Sequence, residues 1–150
     1  MDKAQTLDLI DKIKTAHEQQ MYKLELLLSG KEVEDITVLS KTECEFGKLL
    51  QKNEDLLRKI VGSLFYEQMD STHAKWHEEY YKVFEIVKKY VGKTKKGFFS
   101  KLTNSKKLHG MELDKAKFYY SDLKLITNEL LNTIDISKRR IAALAETKFE

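Results

Sequence analysis

The sequence has no proline and only six glycines in 150 residues, so few positions in it interrupt a helix. Its single cysteine excludes an internal disulfide and fits a reducing compartment, and we expect a cytoplasmic location. The apolar run Leu26-Leu27-Leu28 is too short to cross a bilayer, and the N-terminus lacks the pattern of a signal peptide. Charged residues make up 34% of the chain. The ordinary level is about 25%, and the surplus is typical of long amphipathic helices with one solvated face.

The charge is unevenly distributed along the chain. The net charge is +3, but residues 93–150 hold 13 basic and 7 acidic side chains, whereas residues 1–92 are net negative. Residues 93–110 contain six lysines and no acid, and they predict a basic linker. The linker is either a solvated connector with Phe98 and Phe99 against the bundle or a contact for anionic lipid, phosphate or an acidic protein. The basic excess is too small to indicate nucleic acid as a partner.

Apolar residues spaced three and four apart predict three long helices, over residues 3–29, 64–91 and 111–148. The last of them carries a heptad-like seam over about four heptads, so it packs either as an extra bundle helix or against another subunit. The predicted fold class is all-α, an antiparallel four-helix bundle with an additional long C-terminal helix. The predicted domains are a helical bundle, a basic linker and the C-terminal helix, over residues 1–92, 93–110 and 111–150.

The region between the first two long helices is predicted to contain a connector and a shorter, interrupted helix. Residues 31–39 form the connector. Ser40 and Glu43 have the spacing of a capping box, which predicts a helix that starts at Ser40 and has Cys44 in its first turns. Asn53 either interrupts this helix or caps the next one, and Gly62-Ser63 is a further weak point.

Four residues point to a metal site. His73 and His77 are four residues apart, which places two imidazoles side by side on one helix. His17 lies on the apolar stripe of the first helix, and Cys44 comes early in the second. Three nitrogens and one thiolate suit tetrahedral Zn²⁺, whereas Mg²⁺ and Ca²⁺ prefer oxygen ligands. The alternative is that the cysteine is a small apolar residue and the histidines are hydrogen-bonded core residues.

Carboxylates often hold the free nitrogen of a metal-bound imidazole. Four acids are close enough in sequence for this role, although each is also an ordinary surface acid: Asp35, Glu43, Asp70 and Glu78. His109 receives no role.

The sequence around these residues resembles the chemoreceptor zinc-binding (CZB) domain family over roughly residues 10–90. The resemblance consists of a histidine on an early helix, the Cys-x-x-Gly text of Cys44-Glu45-Phe46-Gly47, and a later His-x-x-x-His. It implies that three histidines and a cysteine bind zinc, carried over here onto His17, Cys44, His73 and His77. The chain departs from the family where Gln20 and Leu49 replace frequent tryptophans.

The resemblance also implies a function. Members of the family are bacterial cytoplasmic sensory modules, often homodimers, that respond to zinc or to oxidants such as hypochlorous acid, which makes Cys44 the expected redox-sensitive residue. We therefore expect a sensory or regulatory domain of signal transduction, related to chemotaxis or cyclic-di-GMP. Its expected partner is a chemoreceptor, a histidine kinase complex or a diguanylate cyclase.

The sequence leaves two other classes of protein to consider, a helical adaptor and a di-iron bundle. A helical adaptor protein with a purely structural metal site, or with none, is the main alternative. A di-iron bundle of the hemerythrin type needs about five histidines and bridging carboxylates, more than the four histidines here supply. We do not expect an enzyme, because four protein ligands leave no open coordination position and no catalytic motif is present.

Overall fold

The computed structural model describes residues 1–90 and 110–149, and this part of the chain contains five α-helices and no strand. The helices are α1 (Lys3–Leu28), α2 (Glu45–Lys52), α3 (Glu54–Val61), α4 (Ser63–Val87) and α5 (Gly110–Ala143), with 3₁₀ turns at Lys88–Tyr90 and Glu146–Lys148. The all-α class is thus confirmed for the described residues. The predicted arrangement as a four-helix bundle with an additional C-terminal helix stays a prediction, and so do the domain bounds.

The first helix agrees with the sequence pattern to within a residue. Asp2 accepts a hydrogen bond from the backbone N–H of Gln5, and the Gln5 side chain accepts one from the N–H of Asp2, which completes a capping box. At the other end, Gly30 adopts a φ of +80°, a left-handed conformation that glycine takes without strain. The Ser29-Gly30 stop is therefore confirmed.

The second helix starts later than predicted. Glu43 accepts a hydrogen bond from the backbone N–H of Ser40, as in a capping box, but the Ser40 hydroxyl lies against Thr42 instead of the N–H of Glu43. The residues from Ser40 to Cys44 form a turn, and α2 begins at Glu45. Cys44 is therefore the residue that caps α2 and not a residue of its first turns.

The predicted interruptions at Asn53 and Gly62 are both present. Asn53 separates α2 from α3, and its side-chain amide donates to the Leu49 carbonyl. Gly62, with a φ of +94°, separates α3 from α4. Arg140 of α5 donates to the carbonyl of the residue before Gly62 and lies over the ring of Phe65, 4.2 Å from its centroid. A cation from α5 thus supports the break between α3 and α4.

Helix α5 runs antiparallel to α1. Two ion pairs show the register, because Lys14 meets Asp135 at 2.9 Å while the earlier residue Asp11 meets the later residue Lys138 at 2.6 Å. It also runs antiparallel to α4, where Ser137 contacts Met69 and Thr127 contacts the later residue Trp76. Helices α1 and α4 consequently run in the same direction.

One apolar core joins all five helices. Its fully buried residues come from α1, α2, α4 and α5, among them Leu24, Leu50, Val83, Leu123 and Leu130. Helix α5 therefore packs on α1 and α4 of its own chain. No helix within residues 1–90 and 110–149 combines the length and the apolar character needed to cross a membrane.

Helix α5 ends at Ala143, earlier than the predicted residue 148. The N–H of Leu144 bonds to the carbonyl of Ile141, three residues back, which tightens the last turn. Ala145 is then extended, and a 3₁₀ turn follows. The predicted basic linker lies outside the described residues except for Gly110, which begins α5.

Leu130→Ala is expected to lower the free energy of unfolding by about 2–5 kcal/mol, because it opens a cavity where α5 meets the core. Lys117→Ala, an exposed position on the same helix, is expected to change it by less than about 0.5 kcal/mol. Urea unfolding of the two variants measures the difference. Equal, small effects would contradict the packing of α5 on the core.

Candidate metal centre

Four side chains that are distant in sequence meet inside the bundle. One ligand atom from each of His17, Cys44, His73 and His77 lies within 4.8 Å of the corresponding atom of every other member. His17, Cys44 and His73 are buried, with 5%, 7% and 0% of their surface exposed, and His77 is partly buried. The structure thus brings together all four residues that the sequence singled out. Their role as zinc ligands stays a prediction.

His17 reaches the cluster from α1 in one defined tautomer. Its Nδ1 lies 2.8 Å from the carbonyl oxygen of Ile13. Because a carbonyl only accepts, Nδ1 carries the hydrogen and Nε2 keeps its lone pair. A backbone carbonyl commonly orients a metal-bound imidazole in this way. Burial lowers the pKa of His17 below its ordinary value of 6.5, so the ring is neutral near pH 7 and able to bind a cation.

Cys44 stands at the N-terminus of α2. Its Sγ accepts a hydrogen bond from the N–H of Gly47 at 3.3 Å. Burial raises the pKa of the thiol, and the backbone N–H groups of Gly47 and Phe46 oppose this by stabilising the thiolate. A bound cation deprotonates a coordinating thiol outright, because it supplies a local positive charge. The cysteine is therefore placed where a thiolate can exist in a buried site.

Gly47 is required by the close approach of the preceding turn. A Cβ built on Gly47 would lie 1.7 Å from the carbonyl oxygen of Lys41, which is backbone and cannot move aside cheaply. The absence of this atom lets the turn from Lys41 to Cys44 fold against α2. The glycine of the Cys-x-x-Gly text thus positions Cys44 sterically and also donates to its sulfur.

His73 and His77 reach the cluster from successive turns of α4. Their Nε2 atoms are 2.9 Å apart, and the Nε2 of His73 is 3.1 Å from the Sγ of Cys44. Burial is the main cause that lowers the pKa of His73 to about 2 and that of His77 to about 4. The backbone of Leu39 approaches His77 and raises its pKa, but outside the geometry of a hydrogen bond to Nδ1. Both rings are neutral at pH 7.

The predicted carboxylate partners of these imidazoles are not in contact with them. The Nδ1 atoms of His73 and His77 are buried and have no hydrogen-bond partner among the described residues. Asp70 instead pairs with Lys41 at 2.6 Å, and Asp35 is an exposed partner of Lys23. Glu43 holds the Ser40 turn and Glu78 lies on α4 without contacting either Nδ1. Of the two interpretations given for these residues, the contacts therefore support the one as ordinary acids of the surface and its turns.

An aromatic wall, which no sequence motif singled out, lies beside the cluster. The ring of Trp76 lies edge-on to those of His17 and His77, with centroids 4.6 and 5.0 Å apart. Tyr80 stacks on Trp76 and donates to Gln20, one of the two positions where the family often has tryptophan. The sequence spacing could have predicted these rings beside the cluster, because Trp76 and Tyr80 follow His73 on the same face of α4 at steps of three and four.

The spacing of the ligand atoms fits a four-coordinate cation. With Zn–N of about 2.0–2.1 Å and Zn–S of about 2.3 Å, the ligand atoms of a tetrahedral site lie roughly 3.3–3.6 Å apart. Two contacts in the cluster measure 2.9 and 3.1 Å and every separation is within 4.8 Å, so the distances lie around this range. Shifts of about 1 Å or less would satisfy the geometry. The donor set, and the close approach of two Nε2 atoms and one Sγ, fit a metal ion better than a hydrogen-bonded core.

A cavity of about 120 Å³ borders the cluster on the side of the connector. Its walls include Leu39, Phe46 and Tyr80, together with His77 and Cys44 of the cluster. Apolar surface dominates the lining. The cavity gives small molecules a way to approach Cys44 without unfolding the bundle.

No protein-family model, curated protein or solved structure matches this chain. The cluster is compatible with the ligand set of the CZB family, but by itself it does not identify the family.

Gly47→Ala is expected to displace the turn before α2 and to cost about 1–3 kcal/mol, as overpacked positions do. Because the turn carries Cys44, metal binding should weaken as well. Lys48→Ala, the next residue and an exposed one, is the control and should bind metal as the wild type does. Thermal melts and metal titrations report both effects, and wild-type behaviour of Gly47→Ala would contradict the steric role.

Proposed function

We propose that the chain is a zinc-binding sensory or regulatory domain of bacterial signal transduction. The observation that supports this proposal most is the buried meeting of three imidazoles and one thiol, with four ligand atoms within 4.8 Å of one another. His17, Cys44, His73 and His77 would hold the ion. When bound, Zn²⁺ would supply a positive charge that links the helices without taking part in redox chemistry.

Zinc is favoured over other ions by the donor set. A thiolate and three imidazoles suit zinc or copper, whereas Mg²⁺ and Ca²⁺ select oxygen. No carboxylate contributes a ligand atom to this cluster, which argues against the bridged di-iron alternative. Four protein ligands favour a structural or sensing role over catalysis.

The positions of the ligands in the fold support a sensory role. His17 belongs to α1, Cys44 precedes α2, and His73 and His77 belong to α4. The bound state therefore joins α1 and the start of α2 to α4, and loss of one ligand loosens that connection. Trp76 extends the connection to α5, because its ring contacts His17 while its Nε1 donates to Thr127 at 2.9 Å. Helix α5 is thus in a position to transmit the state of the site to a signalling partner.

Oxidation offers one way to change that state. The Cys44 thiolate borders the cavity beside the cluster, so a small oxidant such as hypochlorous acid can reach it. Oxidation to a sulfenic acid removes the thiolate as a ligand and is reversible by thiols. The resemblance to the CZB family supports this role. We propose a cytoplasmic domain that acts as a homodimer with a chemoreceptor, a histidine kinase complex or a diguanylate cyclase.

The second candidate is a helical adaptor whose cluster is structural or binds no metal. The basic segment of residues 93–109, outside the described part of the chain, is the sequence feature that favours it. Metal content tests the adaptor that binds no metal, because such a protein would carry no stoichiometric zinc. Release of zinc by an oxidant tests the adaptor with a purely structural site, because a structural site has no need to respond.

Protein purified after zinc-supplemented growth is expected to carry about one zinc per chain. Cys44→Ser is the most specific variant, because it removes the thiolate and preserves the start of α2. A serine hydroxyl caps a helix as the Cys44 sulfur does here. This variant should lose zinc to a competing chelator at a concentration that leaves the wild type loaded. His109→Ala, the matched control on the remaining histidine, should retain it. Metal analysis and the melting temperature, which should rise by several degrees on loading, are the measurements.

Hypochlorous acid is expected to release zinc from the wild-type protein and to add one oxygen to Cys44, and dithiothreitol should reverse both changes. A colorimetric chelator follows the zinc and peptide mass spectrometry locates the oxygen. The control is Cys44→Ser loaded with excess zinc. If only methionines are oxidised, and this variant releases as much zinc as the wild type, Cys44 is not the redox-sensitive residue. This outcome would leave the zinc site itself intact.

A further inference from the structure

Helix α5 has a second apolar stripe, directly opposite the face that it buries. Met111, Phe118 and Leu125 are spaced by seven residues, and 88%, 66% and 69% of their surfaces are exposed. The buried face is also spaced by seven, through Ala116, Leu123 and Leu130. Phe118 and Leu125 each lie two positions after a residue of the buried face, which is a rotation of about 200° around the helix axis. Large apolar side chains repeated in this way are typical of a helix with a partner on each side.

The charges beside this stripe complement one another under a two-fold rotation. Lys115 and Asp122 are exposed and seven residues apart, so they lie on the same flank of the stripe. The Lys115 ammonium rests 5.8 Å above the ring of Tyr119, which keeps it on that flank. In an antiparallel pair of helices, like flanks of the two copies face each other. A positive and a negative group on one flank are therefore self-complementary.

The register of such a pair follows from the positions. If Phe118 meets the second copy's Phe118 on the two-fold axis, Met111 meets the second copy's Leu125, because each lies seven residues from Phe118. Lys115 lies three residues before the axis and Asp122 four residues after it, so Lys115 faces the second copy's Asp122 to within one residue. Apolar contacts and both ion pairs thus form in the same register. In a parallel pair, Lys115 would instead lie level with the second copy's Lys115, which carries the same charge.

We propose that the Met111–Phe118–Leu125 stripe of α5 is the surface on which two copies of this chain associate, antiparallel and centred on Phe118. This extends the homodimer in the proposed function by naming its interface, and it does not depend on zinc. The opposite face of the same helix holds Thr127, the partner of Trp76 beside the metal cluster. The interface therefore lies one helix away from the cluster, and a shift of α5 at the site is a shift at the dimer contact.

The test is sedimentation equilibrium of the full-length, zinc-loaded chain over a micromolar dilution series. The expected mass is twice 17.6 kDa at high concentration. Phe118→Asp should raise the dimer dissociation constant at least about a hundredfold, because it places two like charges on the axis. Leu64→Asp, on the distant start of α4 and 82% exposed, is the matched control and should associate as the wild type does.

A charge exchange tests the register. Lys115→Asp and Asp122→Lys should each raise the dissociation constant by about tenfold, through lost ion pairs and new repulsion. The double variant should return to within about threefold of the wild type, because each exchanged charge again meets its opposite. Additive effects in the double variant would overturn the antiparallel register. A monomeric wild type at all concentrations would overturn the proposal, and a zinc assay on the same samples shows whether the metal site has failed separately.

Discussion

The structure depends on the burial of four ligand atoms that lie within 4.8 Å of one another. An imidazole nitrogen that is desolvated without a hydrogen bond costs about 1–3 kcal/mol, and the Nδ1 atoms of His73 and His77 both have this status among the described residues. The same burial holds the pKa of His73 and His77 well below neutral pH, so protonation does not relieve the cost. A cation at the centre would not reach these Nδ1 atoms, but it would give the facing Nε2 atoms and the Sγ of Cys44 a partner of opposite charge. That gain is what favours a metal site over a hydrogen-bonded core.

That constraint explains why the elements around the cluster are built as they are. Cys44 lies just before the first residue of α2, and from this position its sulfur is 3.1 Å from the Nε2 of His73. The turn fits only because Gly47 lacks a side chain. The wall of Trp76 and Tyr80 keeps water from the imidazoles on the other side, and each of these rings is in turn fixed by a hydrogen bond to another helix. The site and the packing of α1, α4 and α5 are therefore parts of one structure.

The parts that the sequence predicted are those set by local periodicity. The spacing of apolar residues gave the long helices, and the same spacing placed His17, His73 and His77 on inward faces, so their convergence followed. The errors arose where tertiary contacts decide. Ser40 has the sequence of a cap, but its hydroxyl contacts Thr42, and Cys44 caps α2 instead by accepting from the N–H of Gly47. Asp70, close to the histidines in sequence, pairs with Lys41 instead. The group that orients His17 is a backbone carbonyl, which a pattern of side chains does not predict.

Helix α5 has two apolar faces, one packed in the core and one exposed at the surface. Leu123 and Leu130 fill the core on one face, where Thr127 also receives the indole of Trp76, while Phe118 and Leu125 are exposed on the other. A helix that only closed the bundle would need one apolar face, and its outer positions would favour charged residues for solubility. The outer apolar residues recur at the same seven-residue interval as the inner ones, so a small rotation or slide of α5 changes both surfaces together. That coupling is what a domain needs if the state of a buried site is to alter contacts at its surface.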